Sequence, residues 1–244
     1  MLLIRRLFDL SEAVSKGYYP RFTHFLNERE QYAVQQTFAK LDGCRGALSG
    51  GFDGAQRQMA GIFPEDWSDS LEAFPITAVT VVHGREETLS HRDVLGSLIG
   101  LGLARESIGD ILPEQGECRI VVEETVAPLL VDELRKVGRT GVSCRMEDIS
   151  QLRNVQRYEP VTGTVSSTRL DCLVSLITRL AREKSAALIR SQLVQVNYRV
   201  EDSVSASFGE GDIITVRGYG KYIVDTLEGP TKKGRLRVNG RKYA

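Results

Sequence analysis

The sequence predicts an α+β protein of 244 residues in three parts. These are a mostly helical N-terminal segment over 1–75, a βαββαβ domain over 76–150 and a basic module over 168–244, with 151–167 as a linker. Three observations predict this. Apolar residues recur at three-to-four spacing from Leu3 to Leu41. From Ile76 onward, β-branched runs alternate with capped amphipathic stretches. Charge is unevenly distributed: 32 basic and 32 acidic side chains balance overall, yet Val161–Ala244 holds 14 against 8 and the remainder 18 against 24. A basic module beside an acidic body either meets an anion, such as nucleic acid or a membrane surface, or reflects solvated faces. Charge alone leaves both open.

Taken in order, Phe22, Phe25, Leu26, Tyr32, Ala33, Phe38 and Leu41 mark the apolar side of the helical stretch. The run Leu48–Gly54, with three glycines in seven residues, could cradle a phosphate. No Gly-Lys-Ser/Thr follows it, and it is read as a structural turn. A helix carrying Arg57 is expected next, ending before Phe63-Pro64, because a residue before proline avoids the helical region. Ile76–Val82 reads as a strand. Ser90 and Asp93 form a capping pair for a helix through Val94, Leu95, Leu98 and Ile99, which stops near Gly102. Strands at Ile108–Leu112 and Cys118–Val122, a helix over Glu124–Val137 and a strand at Val142–Asp148 complete the β-α-β-β-α-β order of the ferredoxin-like pattern. That fold hosts many functions and names none.

Several chemistries have no support in the residues. Cys44, Cys118, Cys144 and Cys172 are widely spaced, and His24, His83 and His91 show no metal-ligand spacing with them. Zinc sites, disulfide frameworks and cofactors are therefore not expected. The first residues meet charge within five positions, and no apolar run approaches the roughly 18 residues of a membrane span. A cytoplasmic protein without membrane insertion is expected.

In the C-terminal module, Thr168 and Asp171 are spaced as a capping box for a helix with Leu170, Leu173, Val174, Ile177 and Leu180 on its apolar face. A second helix starts at Arg182 and runs through Leu188-Ile189. A strand at Leu193–Val196, a turn at Asn197 and a strand at Ile213–Arg217 follow. The pieces Arg169-Leu170-Asp171, Arg182, Leu188-Ile189, Val194-x-Val196-Asn197 and Gly211-Asp212-x-Ile214-x-Val216-Arg217-Gly218 stand in the order of the S4-type RNA-binding domain, which this stretch resembles. Ala181 and Gln192 depart from it, where the family has serine and glycine. Together with Gly50-Gly51-Phe52, His91–Leu98 and Ile108–Ile111, the whole chain resembles the YlmH family. Its relatives are S4-domain proteins of the bacterial division gene cluster and a photosystem-related group.

The resemblance implies an α-L arrangement of paired helices, binding to ribosomal or transfer RNA, and a role at the large ribosomal subunit around stalled nascent chains. On the matching positions, Arg182 and Arg169 are the expected RNA contacts, since a guanidinium grips phosphate through two bonds and a helix N-terminus favours anions. Lys184, Arg190, Arg217 and Lys221 are supporting contacts or solvated cations. Asp171 is expected to cap the helix or position an arginine. Thr231–Gly234 should turn a hairpin, placing Arg235, Arg237, Asn239 and Arg241 along one face of a strand. That row either tracks a phosphate backbone or is a charged edge that discourages aggregation.

Arg169-Leu170-Asp171 also occurs in pseudouridine synthases, where the aspartate is the nucleophile. There glycine precedes it in a strand; here Thr168 precedes it on a helix. No Gly-x-Ser-x-Gly elbow or glycine-rich cofactor loop is present. His91-Arg92-Asp93 heads a helix and reads as a cap, or else as a contact with RNA or a partner. A non-enzymatic RNA-binding factor is expected, with the acidic body free to meet a protein. An RNA-modifying enzyme centred near Gly50-Gly51 and Arg57, or a division-linked adaptor, are the alternatives.

Overall fold

Leu7, Ser11 and Val14 are the buried stripe of the first helix, α1 (Leu2–Gly17). After β1 (Arg21–Phe22), α2 (Glu28–Phe38) starts at a capping box: Glu30 N donates to Asn27 Oδ1 at 3.0 Å and Asn27 N donates to Glu30 Oε2 at 2.8 Å. β2 (Cys44–Ser49) and β3 (Met59–Pro64) then form an antiparallel sheet in the order β1-β3-β2. The computed structural model describes residues 2–67, 73–152, 158–231 and 234–243, and the chain divides into two units, Met1–Val155 and Gln156–Ala244. Among the described residues, no helix is long and apolar enough to cross a membrane.

β3 corrects the mostly helical reading of 1–75. Where a helix was expected to end before Phe63, all six residues of Met59–Pro64 are buried and extended. β3 is the central strand, with apolar partners on both faces. Ala60 and Ile62 face α1 and α2 with Leu7, Val14 and Val34. Met59 and Phe63 face the other way, toward Phe25, Phe74, Ala78 and Val121.

The second half of this unit follows the expected element order. β4 (Ile76–Val82), α3 (His91–Gly100), β5 (Ile108–Pro113), β6 (Glu117–Glu123), α4 (Ala127–Glu133) and β9 (Ser143–Glu147) place four antiparallel strands as β5-β6-β4-β9. Ser90 caps α3, with Asp93 closing the box. The helix expected over 124–137 is shorter. Leu134 leaves the helical region (ψ 96°) to bury its side chain, and β7 (Lys136–Val137) and β8 (Thr140–Gly141) turn a small hairpin instead. Val79, Val81, Cys118, Ile120 and Val122 pack beneath α3 and α4.

The second unit is a six-stranded antiparallel sheet, β10-β15-β14-β13-β11-β12, with a helix pair. Its elements are β10 (Tyr158–Val165), α5 (Leu170–Thr178), α6 (Arg182–Arg190), β11 (Val194–Val196), β12 (Arg199–Val200), β13 (Ile213–Val216), β14 (Gly220–Glu228) and β15 (Leu236–Tyr243). The linker reading of 151–167 is corrected over 158–165, which pairs with β15 from Tyr158↔Tyr243 to Val165↔Leu236; residues 153–157 lie outside the described residues. β15 is also no edge strand, because β10 and β14 flank it. Of the expected hairpin turn, Lys232 and Lys233 lie outside the described residues, and Gly234 N donates to Thr231 O at 2.8 Å. Leu170, Leu173, Ile189, Val194, Ile214, Val224 and Val238 form the core.

Gln192, where the resembled pattern has glycine, has φ +59°. Its N–H donates to Ile189 O and that of Leu193 to Leu188 O, the paired bonds that close a helix through a left-handed residue. A side chain is strained there. Gln192→Gly is therefore expected to stabilise the second unit by about 0.5–1 kcal/mol, net of the extra freedom glycine gains when unfolded. The urea midpoint would report it, and an unchanged or lower midpoint would contradict it.

Candidate functional site

At the start of α5, the backbone is held by a neighbouring loop: Leu170 N donates to Ala206 O at 2.8 Å, and Phe208 N to Thr168 O at 3.0 Å. The residue before the helix is Arg169, and no side chain caps it. The expected Thr168–Asp171 capping box is thus replaced by a longer-range arrangement. The Asp171 side chain is only 4% exposed and accepts from Arg182 Nε at 2.7 Å and from Arg169 Nε at 3.1 Å. The two guanidiniums lie 41% and 55% open to solvent, Arg169 and Arg182 respectively. One buried carboxylate therefore aims two cations, one just before α5 and one at the start of α6, to a common surface. Burial pushes the Asp171 carboxyl up, but the hydrogen bonds and charges of Arg182 and Arg169 outweigh it and hold it below the usual range. The bond to Asp171 in turn raises Arg182.

Arg182 is the first residue of α6, and Ala181 before it has no side chain to cap the helix. No side chain caps the first N–H groups of α6, which stand beside a guanidinium, the arrangement that favours an oxyanion. Lys184 and Arg190 are exposed on the same helix, Arg190 in its last turn. Arg179, which sequence reasoning passed over, is exposed in the α5–α6 turn at φ +57°. Its spacing from Arg182 carried no motif, so only the turn reveals it.

The remaining expected contacts lie on the sheet. Arg217 is exposed just after β13. Lys221 Nζ stands 4.1 Å from the ring centre of Tyr243 and 5.6 Å from that of Tyr198. Arg237 is exposed, and Arg235 Nη2 donates to Thr164 O at 2.8 Å. Arg241 lies over Tyr158 at 4.8 Å and grips Asp225 with Nε at 3.0 Å and Nη2 at 2.8 Å. The row Arg237, Asn239, Arg241 does share a face. However, Asp225 offsets the charge of Arg241, and Asn239 is bonded to Thr226 and Glu228.

In the first unit, the groups near Gly50-Gly51 serve as ties. Arg57 Nε donates to Ile108 O at 2.9 Å and Nη2 to Phe25 O at 3.0 Å, while Asp110 accepts from the backbone N–H groups of Gln56 and Arg57. Burial holds Arg57 below its usual value and raises Asp110 despite those bonds. A Cβ at Gly50 would lie 2.6 Å from Arg57 O, so this turn is closed by its own backbone. Burial pushes the Cys118 thiol up to about 12, which leaves no thiolate for nucleophilic work at neutral pH. His91 is exposed and takes no part in the Ser90–Asp93 cap.

A family model described as "Putative RNA-binding domain in YlmH" matches residues 70–151. The chain is 33% identical over 238 residues to a Bacillus subtilis (strain 168) protein named "Ribosome-associated protein quality control protein P2", a match that covers 96% of this chain and 92% of that one. Among solved structures, "Cell division protein ylmH from Streptococcus pneumoniae" aligns with a TM-score of 0.52 and 22% identity, over 59% of this chain and 88% of that one. That likeness concerns the fold alone.

Proposed function

Since the chain belongs to the YlmH family, we propose that it is a non-enzymatic RNA-binding factor that acts at the ribosome. Its C-terminal module, read as an S4-type domain, docks on structured ribosomal or transfer RNA of the large subunit where translation has stalled. The observation that carries this reading is the Arg169–Asp171–Arg182 cluster. Its buried carboxylate fixes the direction of two exposed guanidiniums before any phosphate arrives, so less freedom is lost on binding. The uncapped start of α6 adds oriented N–H donors at the same place. The name of the Bacillus relative supports the ribosomal setting. The strand order β5-β6-β4-β9, with α3 and α4 on one face, supports a ferredoxin-like reading of the middle segment.

The ties made by Arg57 and Asp110 support a structural role for the region where an RNA-modifying site was considered. In the same way, Asp171 already accepts from two arginines in the first turn of a helix, which supports positioning rather than nucleophilic attack.

The test is sedimentation of tagged protein through a sucrose gradient with sequencing of the bound RNA. Wild type is expected to travel with large-subunit particles and transfer RNA. Arg182→Ala is expected to stay at the top, its affinity lowered about ten- to a hundredfold by loss of charged hydrogen bonds. If both stay at the top, the ribosomal reading fails.

A further inference from the structure

The segment matched by the RNA-binding family model, residues 70–151, carries eight basic against fourteen acidic side chains. RNA that touches it must therefore meet cations that are locally concentrated. The face of its sheet away from α3 and α4 does not offer them. Ile76, Ala78 and Val121 on that face are covered by Phe25, Phe63 and Phe74. Further along, Arg119 is held by Glu114 at 2.5 Å, Glu117 at 2.6 Å and Glu147 at 3.4 Å, and Arg145 faces Glu117 at 3.6 Å. Base stacking on exposed sheet aromatics, the usual way such a sheet reads single strands, is closed here.

The helix side is different. An open cleft of about 640 Å³ lies between α3 and the β7–β8 hairpin, with Arg92, Gly96, Ser97, Leu101, Arg135 and Lys136 around it. Ser97 Oγ accepts from Gly138 N at 3.3 Å and donates to Asp93 O at 2.9 Å, which fastens the hairpin to the helix. Arg139 follows Gly138 in the hairpin turn and is exposed. The side chains of Arg92, Lys136 and Arg139 make no ion pair or hydrogen bond among the described residues. Asp93 is spent on the Ser90 cap, so Glu133 is the other carboxylate at the cleft. Gly96 leaves one wall as bare helix backbone, for a Cβ there would meet nothing within 4 Å.

We propose that this cleft takes the sugar-phosphate backbone of RNA, with Arg92, Lys136 and Arg139 as its phosphate contacts. The inference rests on the RNA-binding reading above and adds a second contact on the other unit. The lining favours RNA over an acidic peptide, because it lacks an apolar anchor pocket: Leu134 is buried and Leu101 half-buried.

The experiment uses the full chain and RNA extracted from bacterial ribosomes, with binding measured against potassium chloride concentration. Neutralising Arg92, Lys136 and Arg139 together with alanine should lower affinity at least tenfold at low salt. The slope of log affinity against log salt should become shallower by about 2–3, as counterion release from three phosphates requires. Gly96→Glu, which puts a carboxylate in the cleft without crowding, should weaken binding in the same direction. The matched control neutralises Arg5, Arg29 and Lys40, exposed cations elsewhere on the same unit. Equal losses in the control, or cleft variants that bind like wild type, would overturn the site. Wild type that binds no RNA would overturn the RNA reading itself. If Arg182→Ala weakens binding while the cleft variants do not, the cleft alone is wrong.

Discussion

Asp171→Asn is expected to lower affinity for ribosomal RNA about tenfold or more while leaving the protein folded. The asparagine keeps the shape but is neutral and presents one acceptor and one donor edge, so both guanidiniums lose their charged partner and one of them faces a donor instead of an acceptor. Arg169 and Arg182 then sample many directions, and fixing them again is charged to the binding step. The loss occurs although the variant carries one more net positive charge, which separates positioning from bulk electrostatics. Folding stability should drop only about 1–2 kcal/mol, the low end for a charged bond, because both arginines reach solvent. The acid limb supplies a second readout. Asp171 is held below its ordinary value of 3.8, so its contribution is full above that pH and is lost as pH falls through the lower folded value. Wild type should therefore lose stability below about pH 4 more steeply than the variant. Titration of binding and of thermal midpoints would show both; unchanged affinity would refute the positioning role.

Phe25→Ala should destabilise the first unit by about 3–5 kcal/mol, the range for an aromatic removed from a packed core. The ring is 2% exposed and lies beside Gly109, where even a Cβ would come within 2.8 Å of it. Its backbone is tied as well, N–H to Glu106 O at 2.8 Å and carbonyl to Arg57 Nη2 at 3.0 Å. The vacated space lies within the buried cluster of Phe63, Phe74, Ala78 and Val121. Denaturant unfolding should show an earlier transition for this unit, with the second unit and its arginine cluster unchanged. A shift under 1 kcal/mol would mean the two sheets are not held together here.

The parts of the fold that the sequence made legible are those with local signals. Ser90 and Asp93 name the start of α3, and the apolar stripe of Leu170, Leu173 and Val174 names α5. β3 was not legible because it is buried on both faces. A short run that is apolar throughout has no alternation, and Pro64 then reads as the stop of a helix. β10 hid behind Pro160 and Gly163, residues of linkers. As the outermost strand of its sheet it tolerates a missing N–H, and Gly163 makes room for Leu176, whose Cδ1 would lie 2.2 Å from a Cβ there. Asp171 was visible in the motif, but its link to Arg182 spans eleven residues and depends on how α5 meets α6. The cleft beside α3 was concealed by the acidic total of the body, since net charge says nothing of where the unpaired cations stand.

β10 and β15 have a further consequence for how the second unit comes into being. They are the first and last strands of their sheet, yet they lie side by side over eight residue pairs. During synthesis, β10 must wait as an open strand until the whole helix pair and three hairpins have been made. Such distant pairing is slow, and it leaves the strand free to mispair in the meantime. The arginine cluster, by contrast, is assembled from neighbours in the chain and can form early. A protein built this way matures from the helix pair outward, and its sheet is sealed only by the latest-made strand.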